Sequence, residues 1–318
     1  VFGVAGPAVS YDIMRFTVGY LAVRGINIYN LFNVPLGRKD ALLAQELPIF
    51  TESQPYYKHL NLFNRYMERL SYVASLGDRV CTTAIYYPVC DIQGRLNAKT
   101  VAKTFDELGR ALEEKTVDFD IIDDDVIKSA KINDGCICIG NAKYQHIIIP
   151  DGAFVPQEIR KVLNEFIRNG GTVSFDIANS NPAILTNNSG LRAMHRKTEN
   201  AEIFCLFRES GYTPDYQVHL PAENGYLLNL ESGNLQRFKT ENGILNLSLA
   251  IGETAVVLLT KETFDAENKK EFISVLTEGQ HSVDFSPPFL FTISICLSSN
   301  KISNFPFLFF FIDFYCPY

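Results

Sequence analysis

The run Gln54–Gly77, QPYYKHLNLFNRYMERLSYVASLG, constrains this chain more than any other stretch. Its apolar and aromatic residues recur at helical spacing and the stripe ends on a glycine, so it reads as one amphipathic helix with a glycine stop. A strand pattern, Arg79–Val89, follows at once. A long helix that delivers the chain directly into a strand marks a passage between two α/β units, and the rest of the sequence is read outward from it.

Upstream, Tyr11–Arg24 carries apolar residues at helical spacing and Gly25 sits where a C-terminal glycine stops a helix. The short apolar strand pattern INIYNLFNV follows, with Tyr29, Asn30 and Asn33 among its residues. Helix, glycine and buried strand form the repeat of an α/β barrel, so residues 1–53 are expected to be the end of such a barrel, and Pro35–Thr51 the loop leaving its last strand. Residues 54–77 are the connecting helix.

Residues 78–195 alternate again. Strands are predicted over Arg79–Val89, Val117–Ile122, His146–Ile149 and Thr172–Ile177, and helices over Ala98–Glu114, Asp124–Lys131 and Pro156–Asn169, with a small hairpin in Gly135–Tyr144. Such alternation implies a parallel, doubly wound sheet, and the β-branched run Ile147–Ile149 suits a strand buried on both faces. Residues 196–281 change to short strand patterns separated by turns, the spacing of a small β-sandwich. The fold class is therefore α/β: the remnant of a TIM-barrel end, a flavodoxin-like domain and a sandwich. Residues 282–318 differ from all of these. Phe285–Tyr318 holds nine of the 24 phenylalanines but only two charged residues, and prolines break its apolar runs below membrane-spanning length. We read it as an atypical tail outside any native domain, with a weak membrane anchor as the alternative.

The net charge of -7 opposes a nucleic-acid partner, because phosphate binding needs a basic face. Seven cysteines in 318 residues make no disulfide scaffold. Cys136 and Cys138 lack the second pair of a zinc site, so strand residues are the expected reading. Asp123, Asp124 and Asp125 follow a strand and open a short helix, where carboxylates cap free amides, and they lack the spacing of a calcium loop. The first loop of the parallel unit, CDIQGRLNAKT, carries no phosphate-cradling glycine pattern. No metal and no cofactor is expected. The chain begins at Val1 without an initiator Met and reads as the middle of a longer frame; a cytoplasmic setting is slightly favoured.

The segment YYKHLNLFNRYMERLSYVASLG resembles the one that closes the barrel in α-L-rhamnosidase-type glycoside hydrolases of family 106. TTAIYYPV, VDFDIIDDDVI, KYQHIIIPDGAFVP and IRNGGTVSFD follow the order of the flavodoxin-like domain after that barrel, a unit similar to the one in β-galactosidases with a trimerisation domain. RKTENAEIFCLF and LNLESGNLQRF resemble the terminal β-sandwich. The resemblance implies hydrolysis of a glycosidic bond by the parent protein, with carbohydrate as substrate, self-association through the accessory domains, and both catalytic carboxyl groups on strands earlier than Val1. It carries no catalytic residue onto this sequence.

Tyr29, Asn30, Asn33 and Glu52 are the expected substrate-binding residues, beside Glu46 on the same loop. Amide and phenol groups both donate to and accept from sugar hydroxyls, and an aromatic ring covers the apolar face of a pyranose. The plainer alternatives are a polar plug at the barrel rim and a solvated loop. His146 is expected to be structural. Tyr212, Tyr216 and Tyr226 are expected to pack in the sandwich core, with carbohydrate recognition on a face or loop of that domain as the alternative. A non-catalytic binding or oligomerisation module is the second reading of the whole chain.

Overall fold

The computed structural model describes residues 9–31, 50, 54–94 and 98–260, and the backbone of 293–294 and 311–312. Helix α1 (Tyr11–Ala22) begins at Ser10, whose hydroxyl accepts from the Ile13 amide, and Gly25 follows it at a positive φ of 89°. A 3-10 turn over Tyr57–His59 leads into α2 (Leu60–Ser75). The rings of Tyr11 and Phe63 meet edge-on at 5.6 Å, Arg15 lies over the Tyr66 ring, and the Ser71 hydroxyl donates to the Asn27 carbonyl. The pairing rises together along both helices, so α1 and α2 lie side by side and run the same way. Between them Ile26–Leu31 turns back along α1, and the Tyr29 hydroxyl reaches the Val18 carbonyl.

This stretch is the start of the predicted barrel strand, whose last residues, 32–34, lie outside the described residues. The described part of the predicted barrel strand enters no strand ladder. A strand exists only beside a partner, and among the described residues none lies along it. Its side chains still alternate: Tyr29 is buried while Ile26 and Ile28 are 43% and 66% exposed.

The predicted strand Arg79–Val89 divides into β1 (Asp78–Arg79) and β2 (Thr83–Tyr86), which enter different sheets. After β2 come α3 (Val89–Gly94), α4 (Ala98–Glu114), β3 (Phe119–Ile122) and α5 (Asp124–Ser129). A small antiparallel sheet follows: β4 (Lys131–Asn133), β5 (Cys136–Ile139) and β6 (Ala142–Tyr144). Then come β7 (His146–Ile148), α6 (Gln157–Arg168) and β8 (Thr172–Ser174). Strands β3, β2, β7 and β8 form a wholly parallel sheet in that order. On one face Ile85 and Ile148 pack with Leu112 of α4; on the other Ala84, Tyr86 and Ile147 pack with Ile127, Ile159, Leu163 and Phe166. Asp123 caps α5 by accepting from the Val126 amide, the role expected for that carboxylate run.

The remaining strands are β9 (Leu185–Thr186), β10 (Leu191–Lys197), β11 (Ala201–Arg208), β12 (Asp215–His219), β13 (Asn224–Leu228), β14 (Leu235–Lys239), β15 (Ile244–Ser248) and β16 (Thr254–Thr260). They make a six-stranded sheet, β1-β10-β11-β16-β13-β14, against a three-stranded sheet, β15-β12-β9. Strand β10 runs across the expected boundary between residues 195 and 196. Along β11, Ile203, Cys205 and Phe207 face α1 and α2, whereas Phe204 and Leu206 face Tyr216, Val218, Leu245 and Leu247 of the small sheet. This period of two places the large sheet between two apolar layers. At Gly19 a Cβ would lie 2.7 Å from Phe207 and Thr254 side-chain atoms, so only glycine lets α1 approach this closely.

Candidate functional site

Of the residues expected to touch sugar, Asn33, Glu46 and Glu52 lie outside the described residues. Asn30 is exposed. Tyr29 is 2% exposed, and its hydroxyl is committed to the Val18 and Ile26 carbonyls at 3.0 Å each. Burial, then Cys205 and Tyr66, push its phenol pKa up. Tyr29 is thus buried against α1 with its hydroxyl held by backbone carbonyls.

A cavity of about 330 Å³ opens where α1, α4, β3 and β10 converge. Val23, Val117, Phe119, Ile121 and Ala193 supply its apolar wall, and three arginines with their carboxylates supply the rest. Arg79 grips both oxygens of Asp118 and reaches Asp120, whose other oxygen accepts from the Tyr144 hydroxyl at 2.8 Å. Arg24 donates to both oxygens of Glu113 (2.7 and 2.8 Å), to Glu209 (2.9 Å) and to the Tyr20 carbonyl. Arg192 donates to the same Glu209 oxygen at 2.9 Å, to Glu114 at 2.6 Å and to backbone carbonyls.

Burial works against the Arg79 charge, but the hydrogen bond and charge of Asp118, then the charge of Asp120, raise its pKa overall. Burial likewise works to raise Glu209, and Arg24 and Arg192 override it and hold that carboxyl below its ordinary value. Glycoside cleavage needs one carboxylic acid kept protonated and one carboxylate free to attack or to activate water. Here each lining carboxylate is engaged by a guanidinium and every guanidinium nitrogen donates in return; burial raises the Asp118 pKa against the pull of Arg79, and the grip of Arg79 closes both its oxygens off. The cavity is a clamp between elements. Sequence reasoning missed it because Arg24 and Glu209 stand 185 residues apart, and Arg79 and Asp118 stand 39 apart.

The parallel sheet offers a second place to look. In a sheet of this order ligands bind where the strand order reverses, at the C-terminal ends of β2 and β7. There the fully buried Asp91 of α3 accepts from the Phe154 amide at 2.7 Å and ties the loop after β7 across that position. The Tyr86 hydroxyl donates to Asp124 at 2.6 Å. Cys90 is exposed on α3, and Cys136 and Cys138 lie on β5. Among the described residues no group of three or more acidic, histidine or cysteine side chains is placed to hold a metal. None of the described helices is long and apolar enough to cross a membrane.

His146, 4% exposed, stands between two serines. Its Nε2 lies 2.7 Å from the Ser174 hydroxyl, which donates to the Asp176 carbonyl, and its Nδ1 lies 3.2 Å from the Ser180 hydroxyl. The donors run one way through the neutral ring: Ser180 to Nδ1, Nε2–H to Ser174, Ser174 to the backbone. Neither serine is poised as a nucleophile. Burial lowers the His146 pKa, with Asp176 in partial opposition.

No family model and no curated protein matches the sequence. Solved structures do. A rhamnosidase from Novosphingobium sp. PP1Y is similar over 83% of this chain with a TM-score of 0.58 at 12% identity, and the chain spans 31% of its length. A β-galactosidase from Bacillus circulans sp. alkalophilus is similar over 71% of the chain and 48% of its own, with a TM-score of 0.47 at 9% identity. A catalytic mutant of Gan42B, a GH42 β-galactosidase from G. stearothermophilus, gives 80% and 58% with a TM-score of 0.48 at 10% identity. The rhamnosidase match supports a glycoside hydrolase-like fold, at an identity too low to show a family.

Proposed function

We propose that this chain is the C-terminal accessory portion of a glycoside hydrolase of rhamnosidase type, close to family 106. In this reading its flavodoxin-like domain and β-sandwich brace the end of a catalytic barrel. The acid and base stand on polypeptide preceding α1, and carbohydrate is the substrate of the whole protein. The accessory domains are also where the parent would self-associate. The observation that carries the reading is the fold likeness to a rhamnosidase over most of this chain.

The local geometry supports it. Two neighbouring helices that run the same way, with Ile26–Leu31 turning back along the first of them, have the arrangement expected of βα units in a barrel. Ile13, Ile26, Ile28 and Leu62, between 43% and 66% exposed, concentrate apolar surface on this unit, as expected of an element that packs against further units. The test is to recover the coding sequence upstream of Val1 and express it continuous with this chain. Hydrolysis of an aryl α-L-rhamnoside, abolished by Glu→Gln changes at upstream strand ends, is the expected result. An extended protein without a barrel, or one that binds glycans and cleaves none, overturns it.

A further inference from the structure

The outward face of the three-stranded sheet is the chemical opposite of the junction cavity. Antiparallel register places Asp215 opposite Ser248, Gln217 opposite Asn246, and His219 between Ile244 and Leu185. Directly opposed residues share a face. Tyr216, Val218, Leu245 and Leu247 of the same strands point inward and are buried, so the other set points out. Asp215, Gln217, His219, Asn246 and Ser248 are all exposed. Asn187 is exposed beside them, and its side-chain oxygen accepts from the Gln217 backbone N–H at 2.7 Å.

The composition of this face is selective. Of the eight side chains so placed, five are amide, hydroxyl or imidazole, Ile244 and the 60% exposed Leu185 are apolar, and Asp215 is the one carboxylate; Lys, Arg and Glu are absent from the opposed positions. A chain of net charge -7 thus presents an almost uncharged platform. Such a face suits a ligand without charge and gives a polyanion or a polycation little to hold. Amide and hydroxyl groups each donate and accept, which matches a row of sugar hydroxyls. Neighbouring strands lie about 4.8 Å apart, so Gln217 and Asn246 can engage adjoining hydroxyls. An aromatic ring stands nearby: Tyr212, expected to pack in the core, is instead fully exposed, whereas Tyr216 and Tyr226 are 1% and 3% exposed. Tyr212 stands three residues before Asp215, which keeps the two within about 11 Å.

We propose that this face binds neutral carbohydrate, an extended glycan lying across Gln217 and Asn246 with the Tyr212 ring available to stack on a sugar. It takes part in no bond cleavage, and it is independent of whether the parent is a hydrolase.

The test is native electrophoresis of the full chain through gels cast with galactan, xylan, mannan or polygalacturonate. Retardation in at least one neutral gel and none in the polygalacturonate gel is expected. Gln217→Ala with Asn246→Ala removes two hydrogen-bonding side chains and should weaken retention about tenfold to thirtyfold. Tyr212→Ala should weaken it independently. All these side chains are exposed, so the unfolding midpoint should stay where it was. No retardation in any neutral gel, retention that survives the double substitution, or equal retardation by polygalacturonate overturns the proposal. So does a concentration-dependent dimer that the same substitutions abolish, because the face would then be a protein interface.

Discussion

The junction cavity and the outer face of the small sheet both gather polar side chains, and they use them in opposite ways. At the junction the guanidinium groups of Arg24, Arg79 and Arg192 are spent on Glu113, Glu114, Asp118, Asp120 and Glu209. On the sheet face Gln217, Asn246 and Ser248 are exposed. A polar group already satisfied by its own chain holds shape; one left open can hold a ligand. A concave site therefore need not be the functional one, and a flat one can be.

The largest effect should come from the junction. Arg79→Ala leaves the Asp118 carboxylate, 6% exposed, without its partner. Loss of one member of a buried pair costs about 3–5 kcal/mol, to be read by urea unfolding. A loss near zero would mean that the junction is no clamp.

Glu209→Ala should cost about 2 kcal/mol at neutral pH, the worth of hydrogen bonds to charged groups. Its carboxyl is held below the ordinary value by Arg24 and Arg192 against the pull of burial. A depressed folded-state pKa gives stability that is full above the unfolded value of about 4.3 and is lost as pH falls through the folded one. Wild type and variant should therefore converge in acid. A difference that persists at low pH would assign the loss to packing.

His146 sharpens the comparison, since its ring is satisfied only when neutral. Burial lowers its pKa, so between the folded value and about 6.5 the unfolded chain binds more protons, and stability falls on acidification through that window. His146→Gln should flatten the wild-type slope between about pH 6.5 and 5. His195, stacked on Phe204 and also lowered by burial, keeps a residual slope in both proteins. An unchanged slope would contradict the one-way donor chain.

The smallest effect belongs to the open face. Gln217→Ala and Asn246→Ala together should change unfolding stability by less than about 0.5 kcal/mol, as exposed positions do. A larger loss would show that these side chains hold the sheet.

Local signals in the sequence marked most of the elements. The stripe of α2, the run Ala98–Glu114 and the cap at Asp123 are written in spacing of a few residues, and the structure has them in place. What spacing cannot write is partnership. Arg79–Val89 reads as one strand, yet Asp78–Arg79 pairs with Arg196–Lys197 and Thr83–Tyr86 pairs with β3 and β7. Ile26–Leu31 has the alternation of a strand and no ladder among the described residues. Tyr29 shows the same limit in a side chain: a phenol on an apolar stretch reads equally as a sugar contact or a packed ring, and spacing does not say that this one is buried. Tyr212 went the other way, because its loop holds it out of a core that Tyr216 and Tyr226 fill.

The central proposal is that this chain supports a hydrolase without supplying its acid and base. The direct measurement is release of phenol from aryl α-L-rhamnoside by the full chain at high protein concentration. The account predicts release indistinguishable from buffer. Turnover that disappears when an aspartate or glutamate of this chain is replaced by its amide would contradict it.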